Sequence, residues 1–229
     1  MKGNTMLDFT GVFAAWPSFL TGLGLTIVLT LFSCSLGTLL GIGSAWVRVY
    51  ACGPLRIAVA WYVEFFRNTP FIVQIFFIYF GLPATGLKLA SFPAAIVALT
   101  INLGAYACEI IRAGIQATPR GQLEAAQSLG LNRWHTFTRV ILPPALSRVW
   151  PAMISQLVII MLATAICSLI STEELSYAAN LVASQTFLRF ESYIAVTALY
   201  LLLSICFRHF LQWLGPRWLF GCAPTGGPR

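Results

Sequence analysis

Apolar residues run along this chain in blocks too long for a water-soluble fold, and the polar residues are gathered between them. The first uncharged block, Phe9 to Val47, exceeds the roughly 20 residues a helix needs to cross a bilayer's hydrocarbon core. Its centre, residues 19–46, carries Gly37-x3-Gly41-x-Gly43, a seam of small residues that lets a second helix approach closely. Four further segments are long and apolar enough to span: residues 57–82, 90–111, 151–170 and 193–214. The second of the five is unusual. Glu64 and Arg67 precede its apolar run Phe71 to Phe80, in which Gln74 is the one strongly polar side chain. Pro70 and Pro83 bracket that run, and Pro70 removes a helical hydrogen bond, which predicts a kink or hinge there. The pattern predicts an all-α membrane protein of five transmembrane helices, one domain over residues 1–229, with its termini on opposite sides.

Residues 118–143 break the apolar pattern. Thr118 and Pro119 suit an N-cap and first helical residue, since the N–H that proline lacks is not needed there. Gln122 to Leu129 is helix-permissive, with Leu123, Ala126 and Leu129 on one face. Gly130 can take the left-handed conformation that ends such a helix, and Asn132 can cap a second one carrying Trp134, Phe137 and Val140. The pair is too polar and too short to cross a bilayer. Ala125, Ala126 and Gly130 have almost no side chain, so another protein could approach the backbone closely. On helix pattern alone, the same stretch reads equally as a solvated connection between two spans.

Composition agrees with a membrane protein: 58% of residues are hydrophobic and 9% charged, with a mean hydropathy of +0.81, against about 25% charged in soluble domains. Eleven of the fourteen Lys and Arg fall in the Arg48–Arg67 region, the Arg112–Arg148 region and the tail from Arg208; the other three are Lys2, Lys88 and Arg189. Basic residues are retained on the cytoplasmic side, so residues 118–143 and the C-terminus are expected there and the N-terminus outside. The net charge of +7 then follows from membrane topology, with some affinity for anionic headgroups, and calls for no nucleic acid. No small-residue cleavage site follows Lys2 at the right distance, so no cleaved signal peptide is expected. The six cysteines, at 34, 52, 108, 167, 206 and 222, form no C-x-x-C pair and read as small apolar residues. His135 and His209 stand alone, so neither a metal site nor a catalytic constellation is expected.

The polar stretch contains E-A-A-x3-G-x9-V-x-L-P, formed by Glu124, Ala125, Ala126, Gly130, Val140, Leu142 and Pro143. It resembles the cytoplasmic coupling loop of the membrane subunits of ABC importers, with valine in place of an isoleucine. Tyr62-Val63-Glu64-Phe65-Phe66-Arg67-Asn68-Thr69-Pro70, then Val73-Gln74, is similar to a stretch of the permeases for polar amino acids, with Asn68 where glycine is usual. Gly104-Ala105-Tyr106-x-x-Glu109-Ile110-x-Arg112 and Pro119-x-Gly121-Gln122-x-Glu124 resemble the same subfamily. The resemblance covers roughly residues 20 to 215. It implies a type I ABC importer permease fold and ATPase-coupling roles for Gln122, Glu124, Ala125, Ala126, Gly130, Leu142 and Pro143. It further implies a second permease, identical or homologous, two ATP-binding subunits and an extracytoplasmic substrate-binding protein, in a bacterial inner membrane. The chain has no G-x-x-x-x-G-K-[ST], so ATP would be bound by a partner and no cofactor by this chain. One departure stands out: Leu162-Ala163-Thr164-Ala165 replaces the family's usual Lys-x-Thr-Ser, so a positive charge is missing at position 162.

Polar groups inside a span are expected to be paired or to line a water-filled path. Asn102, Tyr106 and Glu109 share one face of the third helix, while Gln156, Thr164 and Ser168 recur at i, i+8 and i+12 on the fourth. With Gln74 they are candidates for the substrate pathway, the alternative being hydrogen bonds between helices. Glu64, Arg67 and Arg112 are candidates for structural ion pairs, with Glu109 three residues before Arg112. The expected function is translocation of a polar amino acid, with no enzymatic activity in this chain. The alternative is a stand-alone secondary transporter or channel subunit, for which five helices without a visible repeat are awkward.

Overall fold

The computed structural model describes residues 8–215 and 217; Lys2, Cys222 and Arg229 lie outside the described residues. Among those described, the secondary structure is helical throughout: α1 (Thr10–Ala14), α2 (Trp16–Tyr50), α3 (Pro54–Arg67), α4 (Phe71–Phe76), α5 (Ser91–Gln116), α6 (Arg120–Ser128), α7 (Arg133–His135), α8 (Leu142–Ala163), α9 (Leu175–Thr186) and α10 (Arg189–Leu214). A π turn and a short 3-10 helix extend α4 to Thr85, and a π turn joins α7 to α8, which tightens into a 3-10 helix from Thr164 to Ile170.

Helices α2 and α5 run side by side in the same direction and form the centre of the molecule. The glycine seam is what brings them together. A Cβ on Gly41 would lie 2.5 Å from the Ala107 Cβ, and one on Gly37 would lie 2.8 Å from the Leu103 side chain. Gly43, the third member of the predicted seam, faces open space. Nearer the C-terminus of α5, a Cβ on Gly114 would meet the Ala145 carbonyl and Val149 of α8, so the same device seats a third helix. A second apolar cluster gathers Val12, Phe19, Leu175, Ala179, Val182, Val196 and Tyr200 at the far end of the bundle.

Among the described residues four helical runs are long and apolar enough to span on their own, and the fifth span is broken. Helix α3 and the run Phe71–Thr85 are bent by 111° about residues 68–70, where a single segment over 57–82 with a kink was expected. The cause is local. Pro70 has no N–H for the Phe66 carbonyl, so the helix stops at Arg67. Gln74 repairs the break: its Nε2 donates to the Phe66 carbonyl at 2.8 Å and to the Thr69 carbonyl at 3.0 Å. Its Oε1 accepts from Asn102 Nδ2 at 2.9 Å, which ties the break to α5.

The fourth span also differs. It belongs to one helical run, Arg133–Ile170, instead of starting at Pro151, which lies inside α8. Prolines 143 and 144 occupy the first turn of α8, where missing N–H groups cost little. The stretch 171–191, which joins the fourth and fifth predicted spans, contains α9, whose buried Leu175, Ala178, Ala179, Val182 and Ala183 form one packed face. Helices α2, α5 and α10 each extend beyond the expected 19–46, 90–111 and 193–214 by three to five residues at one or both ends.

Candidate functional site

The polar stretch folds as a helical hairpin projecting from the end of α5. Its first helix starts at Arg120, with Pro119 in extended conformation at the N-cap, so Thr118 is not the cap. The Thr118 hydroxyl donates instead to the Gly114 carbonyl at 3.4 Å, satisfying the last turn of α5. At the other end, Gly130 adopts φ +70°. Its N–H donates to the Gln127 carbonyl at 2.9 Å and that of Leu131 to the Ala126 carbonyl at 3.1 Å, the paired bonds of a Schellman motif. Asn132 Oδ1 accepts from the His135 N–H at 2.8 Å and starts the second helix. The turn is therefore closed by specific bonds at both of its sides.

Four of the proposed coupling residues are exposed on this hairpin: Gln122, Glu124, Ala125 and Gly130. Ala126 is buried, and Leu123 packs half-buried on the main core. Leu129, expected on the apolar face with them, is 78% exposed, because the helix has already ended there and the Schellman turn carries its side chain outward. Leu142 and Pro143 lie half-buried in the first turn of α8.

An aromatic clamp holds the hairpin to the end of α2. Trp134 meets Trp46 edge-on at 6.0 Å between ring centroids, and Phe137 meets Tyr50 edge-on at 5.8 Å. Such pairs contribute about 0.5–1.5 kcal/mol each beyond the area they bury. Arg148 of α8 donates to the Ala117 carbonyl at the C-terminus of α5, where a cation also complements the helix dipole. The signal for the clamp was present in the sequence as Trp46 and Tyr50 four residues apart, but nothing local pairs them with Trp134 and Phe137.

The polar residues of the spans sort into two groups. Gln74 and Asn102 are buried and bonded to one another, and all the acceptors of Gln74 Nε2 lie within the chain. Thr164 and Ser168 donate to the carbonyls of Met161 and Ala165, three residues back, at 2.6 and 2.7 Å. Ser168 does not share a face with Thr164. From Thr164 the helix is 3-10, so four residues turn the chain about 120° past a full turn instead of about 40°. Thr164 is buried while Gln156 and Ser168 are half-buried. Leu162, at the position of the missing lysine, is 45% exposed.

The second group is a charged cluster. Glu109 is bound by Arg112, whose Nη2 approaches to 2.6 Å and whose Nε lies 3.2 Å from both carboxylate oxygens. Arg48 Nη1 lies 3.3 Å from Glu109 Oε1, and Arg67 Nη1 lies 4.0 Å from Oε2. The Arg67 guanidinium also sits 5.7 Å above the Tyr106 ring, and the Tyr106 hydroxyl donates to the Arg67 carbonyl at 3.3 Å. Of the candidates for ion pairs, Glu64 forms none among the described residues: it accepts from Asn68 Nδ2 at 3.0 Å, and Arg67 turns toward Glu109 of α5. Arg48 was not foreseen, because it lies 61 residues before Glu109 and only the fold joins them. Among the described residues no group of three potential metal ligands assembles.

Comparison with known proteins extends over nearly the whole chain. A family described as "Binding-protein-dependent transport system inner membrane component" matches residues 37–220. A probable glutamine ABC transporter permease protein, GlnM of Bacillus subtilis, is 36% identical over 194 residues, covering 85% of this chain and 90% of the relative. The glutamine transport system permease protein GlnP of Escherichia coli is 31% identical over 212 residues, covering 92% and 97%. Among solved structures, an amino acid ABC transporter described "with histidines" superposes with a TM-score of 0.83 at 35% identity, covering 93% of this chain and 100% of that one. The MetNI methionine ABC transporter, at 22% identity and a TM-score of 0.66, shares the fold.

Proposed function

Because the chain belongs to the family of binding-protein-dependent transport system inner membrane components, we propose that its exposed hairpin is the lever by which partner ATPases drive amino-acid import. The chain is the membrane-spanning subunit of an ABC importer for amino acids, a multi-pass inner-membrane protein and a transport component, with ATP hydrolysed by a separate subunit. The relatives named for glutamine, cystine and arginine support a polar amino acid as the solute. In our reading the hairpin and C-terminus face the cytoplasm and the N-terminus faces outside. Two ATP-binding subunits seat on the hairpin, a second permease completes the passage, and an extracytoplasmic binding protein delivers the solute.

One observation carries this reading: an exposed, small-faced surface on a hairpin closed by a Schellman turn and an Asn cap and clamped to α2. A surface so fixed moves as a body, and its movement reaches α2 through the clamp and α5 and α8 through the chain. Partners that bind it differently in two nucleotide states therefore shift the spans between two arrangements. Glu124→Lys and Ala125→Trp change only exposed positions. In proteoliposomes containing the whole complex, each is expected to reduce uptake at least tenfold while membrane insertion is retained. Gly130→Trp acts twice, by bulk and by strain at φ +70°. Uptake at the unmodified rate from Glu124→Lys and Ala125→Trp would remove the hairpin from the coupling path.

A further inference from the structure

We propose that Arg67 receives the carboxylate of the transported amino acid at the break in the second span, an assignment that rests on the amino-acid import reading above. The charge balance of the cluster is the starting point. Three guanidiniums, from Arg48, Arg67 and Arg112, surround the single carboxylate of Glu109, and none of them forms an ion pair with another described carboxylate. Arg112 turns its Nε and Nη2 onto Glu109, with an approach of 2.6 Å. Arg48 is held 3.3 Å from the same carboxylate, with its side chain 17% exposed. Arg67 is different. Its nearest approach is 4.0 Å and its side chain is 38% exposed, so its planar fork of donors remains available.

The surroundings of Arg67 suit a small anion. Excess positive charge among spanning segments is costly, and an anion that enters the cluster lowers that cost. A carboxylate accepts two parallel bonds from a guanidinium, a geometry that a lysine cannot reproduce. The Tyr106 ring lies against one face of the guanidinium, and the Tyr106 hydroxyl holds the Arg67 backbone, so the fork is oriented before anything binds. Arg67 is also the last residue of α3, where the span breaks. Irregular backbone at membrane depth is tolerated where it is packed in protein or borders a water-filled path. The packed side of this break is closed by Gln74, which leaves the exposed Arg67 and Asn68 as its open side. The headgroup phosphate of an anionic lipid is the competing anion.

The test uses the purified permease–ATPase complex without binding protein, so that recognition by the binding protein does not mask that of the permease. Saturation-transfer NMR is recorded with L-glutamine, L-arginine and L-histidine, and with their decarboxylated amines 4-aminobutanamide, agmatine and histamine. At least one amino acid is expected to bind about tenfold or more tightly than its amine, as one charge-assisted contact implies. Arg67→Ala should abolish that preference, and Arg67→Lys should keep part of it. Arg67→Ala combined with Glu109→Gln, which returns the cluster to its original net charge, should not restore it. The assignment is overturned if the unmodified complex binds acid and amine alike, if Arg67→Ala keeps the preference, or if the double variant regains it. It is also overturned if added phosphatidylglycerol, and not phosphatidylcholine, removes amino-acid binding, since the anion site is then a lipid's. Uptake of the same amino acids by the full system in proteoliposomes reports on the import reading separately. Uptake without an Arg67-dependent preference sinks only this assignment, whereas ATP hydrolysis with no uptake of any amino acid sinks both.

Discussion

Glu174 is wholly buried, among the described residues it forms no ion pair, and it holds α9 in place by hydrogen bonds alone. Its Oε1 accepts from the Tyr177 N–H at 3.0 Å as the N-cap of α9, and its Oε2 accepts from the Tyr200 hydroxyl of α10. The next N–H, of Leu175, donates to Thr26 Oγ1 of α2 at 3.1 Å, so three helices meet at this point. Burial pushes the Glu174 carboxyl above its ordinary value of 4.5. Between that value and the raised one, the folded chain binds a proton that the unfolded chain has lost. The stabilisation is therefore fully present below the ordinary value and is lost as pH rises through the raised one. Glu174→Gln keeps an acceptor for Tyr200 and removes the titration. Thermal unfolding of the detergent-solubilised complex should show the unmodified protein losing stability as pH rises above about 4.5, with the slope flattened in Glu174→Gln. Identical pH profiles for the two would show that Glu174 titrates normally and is not desolvated.

At the scale of elements, the contact between α2 and α5 depends on the absence of two side chains. Gly41→Val would place carbon where the Ala107 Cβ already lies 2.5 Å away, and both helices have backbone at that point, so neither side can give way cheaply. Overpacking of this kind costs about 1–3 kcal/mol. Gly43→Val, on the same helix and facing open space, controls for the change in helix propensity. Unfolding followed by circular dichroism should separate the two variants by several degrees; equal midpoints would mean that the seam does not set the packing. The seam was legible because small residues at helical spacing have one main use in a membrane helix. The break at Pro70 was legible as a kink, but its angle depends on Gln74 and Asn102, which are partners only in the folded chain. Helix α9 carries a helical pattern of apolar residues, yet at 12 residues it is too short to span, and a reading organised by span length passes over it. The tightening of α8 at Thr164 has no marker in an apolar run that suits either helix type. The candidate site divides in the same way: the hairpin is encoded by consecutive residues, whereas Arg48, Arg67 and Glu109 come from three separate helices.

For the whole molecule, the central constraint is α5. Its 26 residues are about 39 Å long, more than the roughly 30 Å hydrocarbon thickness of a bilayer. Whatever precedes Ser91 and whatever follows Gln116 must therefore lie on opposite sides of the membrane, and the hairpin follows. The distribution of basic residues then decides which side is which, since eleven of fourteen fall on the hairpin's side of the predicted topology. Two exposed positions read this out. Leu87, before α5, is 60% exposed and Leu129, at the tip of the hairpin, is 78% exposed. Each is replaced by cysteine in a background where Cys52 and Cys206, the exposed thiols among the described residues, and Cys222 have been changed to serine. A membrane-impermeant maleimide should label Leu87→Cys in right-side-out vesicles and Leu129→Cys only in inverted ones. Labelling of both from one side would contradict α5 as a span. Labelling from the two sides in the reverse sense would leave the fold standing but turn the hairpin away from the cytoplasmic ATPases, and the coupling mechanism would fall with it.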